Sequence, residues 1–474
     1  MTEITTRSAT EILRLIRERE VSAVEVAEAH IHAIELLNPK LNALVDFDAD
    51  RVRGFARAAE GHSGPLVGLP VTVKSSISVA GHKCELGSAF YSGNIPKEDA
   101  TVVARLRAAG AVILGTTNAP ELLMAYETDN LLYGRSSNPW NLDYSAGGSS
   151  GGEAAAIAAG VSAGGLGSDS GGSVRQPAHA TGICSLKPTA GRIPATGHIP
   201  PCIGPFTTLG AIGPMARSIE DVSLLFKVLS GRDPVDPAGV PIAFRAPLLD
   251  DLKHIPIGYF EDDGLCPVTA ETREAVQSAV VMLRQSGFNV HPFRPATLEA
   301  ARKLWWTFFV RCGAMFDEAI IKGRHEKLSP TFKDFLEIAN AELPLSGEEL
   351  LFAWAESDLI RSKMLAEMQA FPVWVCPVSA IPAFKHGERS WIVDGQEVKY
   401  LDAMRYTQWF NLLGGPAAVV PVGRSPEGLP IGVQIAARPF DDEIALGIAD
   451  AIDREFGYRV PPICNALTAP SVHP

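Results

Sequence analysis

Two stretches of this sequence concentrate residue types that can do chemistry. The first reads Ser145-Ala146-Gly147-Gly148-Ser149-Ser150-Gly151-Gly152-Glu153, and the second, after an alanine-rich segment, reads Gly167-Ser168-Asp169-Ser170-Gly171-Gly172-Ser173-Val174-Arg175. Glycine at this density lets backbone N–H groups approach a ligand closely and turn together into a nest that holds negative charge, lasting or transient. One glycine cluster can equally be a tightly packed connection; here there are two. A phosphate loop needs G-x-x-x-x-G-K-[ST], neither cluster has a lysine, and the dinucleotide fingerprint lacks its later acidic partner, so nucleotide binding is not expected. Gly147-Gly148-Ser149-Ser150-Gly151 also fits the nucleophile elbow G-x-S-x-G, which would make Ser149 the nucleophile of an α/β-hydrolase esterase. That alternative needs an acid and then a histidine downstream, and His179, His198, His254, His291, His325, His386 and His473 lie in no context that marks one out.

The elements that must position these serines alternate between helix and strand. Ser22 and Glu25 form a capping box ahead of an apolar-periodic run to Leu37, with Asn38-Pro39 expected to stop it. Short β-branched runs, Pro70 to Val73 and Ala111 to Leu114, then alternate with helical stretches such as Thr101 to Ala109, closed by Gly110. The pattern implies an α/β fold with a mixed sheet covered on both faces. From about residue 247 to 400 the texture changes to a short strand (Pro256 to Phe260), a helix (Val268 to Gln285), a strand near Val290 and long aromatic-rich helices. The tail returns to strand patterns at Pro416 to Val422 and Pro430 to Ala437 and is expected to complete the first sheet. The expected organisation is one domain over 1–474, with a catalytic core at about 60–230 and 400–460 and a helical, insertion-like region at about 247–400.

Composition narrows the class. Hydrophobic residues make up 46% and charged residues 20% of the 474, enough apolar material for a sizeable core. A formal net charge of -12 offers phosphate backbones and anionic lipid no general attraction, so nucleic-acid and membrane-surface roles are not expected. No apolar run reaches the roughly 18 residues of a spanning helix, and a soluble, cytoplasmic protein is expected. Seven scattered cysteines show no C-x-x-C spacing and read as reduced core residues. His30 and His32 lie in an alanine-rich helix, and His325-Glu326 lacks the second histidine of a zincin, so no metal is expected.

Further segments occur in a fixed order around the serine clusters: Gly68-Leu69-Pro70 with Lys74, then Gly115-Thr116-Thr117-Asn118-Ala119-Pro120-Glu121, Lys187-Pro188-Thr189-x-Gly191-Arg192 and Gly213 to Ser218. Asn411, Gly414 and Pro416 follow, and then Gly428-Leu429-Pro430-x-Gly432-x-Gln434. With these motifs the chain resembles the amidase signature enzymes over nearly its whole length. Spacings of 75 residues from Lys74 to Ser149 and 24 from Ser149 to Ser173 are typical of that family.

The resemblance implies the amidase signature fold, a large twisted mixed β-sheet with helices on both faces, and a C–N hydrolase in which Ser173 attacks, Ser149 relays the proton and Lys74 is the base. An alkyl hydroxyl needs its proton removed before it attacks, and a lysine can do this once burial disfavours its charged form. The Gly148-Ser149 peptide is expected to be cis, and Ser150 to assist by hydrogen bonding. The N–H groups of Ser170, Gly171, Gly172 and Ser173 are expected to face the oxyanion. No cofactor is implied, and a homodimer is the assembly the family suggests. Three departures stand out: Ser75 where Asp is common after the lysine, Ser170 for the usual Thr, and Thr181-Gly182-Ile183-Cys184-Ser185 for C-G-x-x-G.

Members of the family cleave free amides, aryl acylamides, fatty acid amides, carbamates and the glutamine side chain. The Pro- and Ile-rich segment Ile193 to Leu209, with Phe206, and the run Leu304-Trp305-Trp306-Thr307-Phe308-Phe309 favour a hydrophobic or aromatic substrate if they line the cleft. Met124, Arg192, Ile199, Trp305 and Phe309 are the candidate substrate contacts. The alternatives are that Trp305 to Phe309 is a buried helix face and that Arg192 is a structural cation or a gate. A small-molecule amide or carbamate, as for aryl acylamidases and urethanases, is the expected substrate. The amidotransferase subunit of glutaminyl-tRNA formation is the alternative, although its turn usually carries Asp where this chain has Pro120. Retention of Lys74, Ser149 and Ser173 disfavours a binding protein without activity.

Overall fold

Described at residues 4–342 and 344–468, the structure is a computed structural model built on one 11-stranded mixed sheet. In chain order its strands are β1 (Leu44–Phe47), β2 (Pro70–Lys74), β3 (Val112–Thr117), β4 (Gly164–Asp169), β5 (Cys184–Lys187) and β6 (Ala211–Ala216). They continue with β7 (Ile257–Tyr259), β8 (Val290–Pro292), β9 (Val373–Pro377), β10 (Ala417–Arg424) and β11 (Pro430–Ala437). Across the sheet the order is β1-β3-β2-β4-β6-β5-β10-β11-β9-β7-β8. Every residue of β2, β3 and β4 is buried, as covering helices on both faces require, and apart from Lys74 and Asp169, which end β2 and β4, their sequences are apolar or small rather than alternating.

The tail joins the sheet as expected: β10 pairs antiparallel with β5, and β11 with β10. The region from about 247 to 400 also enters the sheet, because β9 pairs with β11 and β7 and β8 continue to the edge. Its helices pack an aromatic cluster containing Trp305, Trp374, Trp409 and Phe410 against the sheet, and this cluster borders the serine-bearing loops.

The capping box is present at Ser22 and Glu25, but the helix runs from Ala23 to Leu41, past Pro39. Pro39 has no N–H to bond within the last turn, and the left-handed Asn42 (φ 49°), with its N–H on the Asn38 carbonyl, makes the stop. Among the described residues no helix is long and apolar enough to cross a membrane.

Candidate active site

Strands β2 and β4 are parallel neighbours in register Val73↔Leu166, so their C-terminal ends bring Lys74 beside Ser168. Lys74 is fully buried; its Nζ lies 2.7 Å from Ser149 Oγ and 3.1 Å from Ser168 Oγ. Burial lowers the amine from 10.5 to about 7, against the opposing pull of Asp169 and Glu153. Glu153 stands on the helix Gly151–Ala158 that starts just after Ser149. Burial raises its carboxyl to about 8, against hydrogen bonds from Thr72 and Thr117 and the charge of Lys74. With its amine lowered to about 7, Lys74 is partly neutral near neutral pH.

Ser149 follows a cis Gly148-Ser149 peptide bond, as expected. Gly148 is required by close approach: a Cβ there would stand 2.6 Å from the Ala125 carbonyl oxygen and 2.8 Å from the Glu127 nitrogen. Ser150 N donates to the Ser173 carbonyl at 3.1 Å, which ties the two serine segments together.

The second turn is held from inside by Asp169. Its carboxylate accepts from Gly172 N at 2.7 Å and Val174 N at 3.1 Å, and is clamped by Arg175 (Nη2 at 2.9 Å, Nε at 3.0 Å) and Asn411 Nδ2 at 2.9 Å. Burial alone would raise the Asp169 carboxyl, but Arg175 and these donors hold it well below the ordinary carboxylate range. From outside, Trp305 Nε1 donates to the Ser170 carbonyl at 2.9 Å, while Tyr126 OH and Thr407 Oγ1 donate to the Gly171 carbonyl at 2.8 and 2.7 Å. The C=O and N–H of a trans peptide point in opposite directions, so fixing the Ser170 carbonyl on Trp305 aims the Gly171 N–H away from the indole. Among the described residues the N–H groups of Ser170, Gly171 and Ser173 have no protein acceptor. The expectation for Gly172 needs correction: its N–H is engaged by Asp169 and positions the turn instead of facing an oxyanion.

Ser149, Ser168, Ser170 and Ser173 line a common cavity of about 330 Å³ whose remaining walls are mostly apolar, including Met124, Ile203, Phe206, Phe309 and Phe316. Phe206 meets Phe309 and Phe316 edge-on, at centroid distances of 5.8 and 6.3 Å. Of the candidate substrate contacts, Met124 and Phe309 line this cavity. Trp305 does not line the cavity; it is fully buried, stacks on Phe309 at 4.7 Å and 12°, and holds the Ser170 carbonyl. Arg192 is outside the cavity, buried between Asp442 (3.2 Å) and Glu443 (2.6 Å) and over the Phe226 ring, where two carboxylates fix it as a structural cation. Ile199 is also not a lining residue; its N–H is bonded to the Ser76 carbonyl, and its neighbours His198 and Pro200 reach the cavity. A larger groove of about 950 Å³ shares Met124 but is lined by charged residues such as Arg302, Lys303 and Asp402, and Ser149, Ser168, Ser170 and Ser173 are not among its lining residues.

Three lining residues carry little or no signal in the sequence. Ser168 is visible in the second cluster as a hydroxyl two residues from Ser170, yet only the β2–β4 register puts it on Lys74. His198 Nδ1 donates to the Pro200 carbonyl at 2.7 Å, and burial lowers the ring to about 4, so its Nε2 is a bare acceptor with no partner. Asp317, on the helix Cys312–Ile321, is marked by no motif.

Sheet, serine turns and buried lysine together define a protein of the amidase class, and the sequence model of the amidase family matches residues 25–446. The chain belongs to the amidase signature family. It is similar to the indoleacetamide hydrolase of Bradyrhizobium diazoefficiens, with 33% identity over 95% of this chain and 86% of that protein. Similarity extends to a glutamyl-tRNA(Gln) amidotransferase subunit of Roseiflexus castenholzii, with 33% identity over 98% of this chain and 99% of that one. A solved bacterial aryl acylamidase of the amidase signature family superposes with a TM-score of 0.84 at 25% identity, covering 99% of both chains.

Proposed function

We propose that this chain hydrolyses the C–N bond of an amide or carbamate bearing a hydrophobic, aromatic group, through an acyl-enzyme on Ser173. The observation that carries the reading is the fully buried Lys74, lowered to about 7 and 2.7 Å from Ser149 Oγ, behind a cavity that Ser149 and Ser173 both line. Neutral Lys74 takes the proton of Ser149 as Ser149 takes that of Ser173, and Ser173 Oγ attacks the carbonyl carbon. The N–H groups of Ser170, Gly171 and Ser173 hold the oxyanion, each donor contributing roughly 3 kcal/mol to the transition state. The C–N bond then breaks and the amine leaves with the proton returned through Ser149. Water attacks the resulting ester by the same relay run once more, releasing the acid and restoring Ser173.

Aromatic and aliphatic walls support an aromatic substrate, as does the similarity to an indoleacetamide hydrolase. The glutamine reading finds less support, because among the described lining residues there is no arginine or lysine to meet an α-carboxylate. The test is amine or ammonia release from indole-3-acetamide, an acetanilide, an aryl carbamate, a long-chain amide and glutamine. Turnover is expected on the aromatic members, with Ser173→Ala and Lys74→Ala each lowering kcat by about a thousandfold or more. Near-normal activity in Lys74→Ala would remove the lysine as base and return the elbow reading of Ser149; turnover confined to glutamine or small aliphatic amides would overturn the substrate class.

A further inference from the structure

One wall of the cavity is a face of the helix Cys312–Ile321, from which Gly313, Phe316, Asp317 and Ile320 line it at helical spacing. Among these apolar neighbours Asp317 is out of place. It is only 2% exposed, and its Oδ2 has no hydrogen-bond partner. A buried carboxyl without a partner costs stability, and such groups are normally satisfied by protein, water or a ligand. Glu121, the other carboxyl near this wall, is satisfied within the fold: it accepts from Ser88 Oγ at 3.1 Å and from Ser329 N at 2.7 Å. Glu318, the next residue along the helix, is held by His325 at 3.0 Å. Asp317 thus lines the cavity with a carboxyl whose closed-in Oδ2 the fold leaves without a donor.

We propose that Asp317 is a specificity-determining residue of this cavity, hydrogen-bonding a neutral N–H or O–H donor carried on the hydrophobic body of the amide substrate. The inference rests on the amidase reading of the Ser173 site and narrows it to aromatic amides that carry a donor away from the scissile bond, such as an indole N–H or a phenol. Burial, with Glu318 and Glu121 adding, pushes the Asp317 carboxyl well above the ordinary carboxylate range. Held as an acid over a wider pH range, it suits a neutral donor and does not call for a cation. A site that hydrogen-bonds a substrate donor rejects the analogue that lacks it, because the buried group is then left unpaired.

The test compares kcat/KM for indole-3-acetamide against benzothiophene-3-acetamide, and for 4-hydroxyphenylacetamide against phenylacetamide, in the wild type, Asp317→Asn and Asp317→Leu. The wild type is expected to prefer the donor-bearing member of at least one pair by about tenfold or more. Asp317→Leu should bring that ratio close to one, and Asp317→Asn should retain part of the preference. Removing an unpartnered buried carboxyl should leave the Tm of Asp317→Leu at or above the wild-type value, which shows that the variant is folded. The same ratios are read as dissociation constants by calorimetry in Ser173→Ala and in Ser173→Ala with Asp317→Leu, independently of turnover. Donor-dependent binding without turnover would count against the hydrolase reading and for the role of Asp317. Equal kcat/KM and equal binding within both pairs, or a preference unchanged in Asp317→Leu, overturns the proposal even if every amide is hydrolysed.

Discussion

Replacing Lys74 by Met keeps the apolar stem, removes the amine, and so isolates the cost of burying that amine. Burial lowers Lys74 from 10.5 to about 7. That displacement of about 3.5 pH units, at about 1.4 kcal/mol each, disfavours the charged form in the folded chain by about 5 kcal/mol. Because the folded value lies below the unfolded one, the unfolded chain between about pH 7 and 10.5 binds a proton that the native chain has released. Wild-type stability therefore rises with pH through that window, by up to about 1.4 kcal/mol per pH unit, and Lys74→Met lacks this contribution. The variant gains most, relative to the wild type, below about pH 7, less about 1–3 kcal/mol for the hydrogen bonds lost at Ser149 and Ser168. Glu153, raised to about 8, loses stability as pH rises between 4.5 and 8 in the wild type, so the lysine is read only from the difference between the two proteins over pH 8 to 9.5. The assay is urea unfolding at pH 6 to 9.5, with ΔG taken at constant m-value. Over pH 8 to 9.5 the wild type should gain on the order of 2 kcal/mol on the variant. Parallel curves would refute the reasoning: Lys74 would then titrate as an ordinary lysine, too charged near neutral pH to take a proton from Ser149.

Two further substitutions test the supports of the site. Arg175→Met leaves the Asp169 carboxylate buried without its clamp, so urea unfolding should show a loss of about 3–5 kcal/mol, and kcat should fall because Gly172 N and Val174 N hang on that carboxylate. An unchanged kcat would mean that the turn keeps its shape without Asp169. Arg192→Met should cost a comparable amount, about 3–5 kcal/mol, by leaving Asp442 and Glu443 facing each other without their cation, while KM for an aromatic amide stays as in the wild type. A raised KM with intact stability would restore Arg192 as a substrate contact.

Much of the site is legible before any fold is built. Two glycine-serine clusters, a lysine after Gly68-Leu69-Pro70 and the spacing among them are local patterns, and the family resemblance they carry implies Lys74, Ser149 and Ser173 with the turn at Ser170 and Gly171. Apolar runs likewise mark six of the eleven sheet strands, β2, β3, β7, β8, β10 and β11, because strands buried on both faces are apolar or small along most of their length. Strands β7 and β8 are three residues each, and their place at the sheet edge is set by pairing with β9.

What the sequence by itself determined was which residue types the chemistry has available and in what order they come along the chain. Tertiary structure alone decided who meets whom. Strand order puts β2 against β4 and so Lys74 on Ser168, and burial in that packing, not the identity of residue 74, lowers the amine to about 7. The same long-range packing removed Arg192 to a carboxylate pair, turned Trp305 into a support for the Ser170 carbonyl, engaged the Gly172 N–H with Asp169, and brought His198 and Asp317 to the cavity wall. The physical reason is that desolvation and apposition depend on neighbours distant in the chain, such as Asp442 for Arg192 and Ser170 for Trp305, and no local periodicity encodes them.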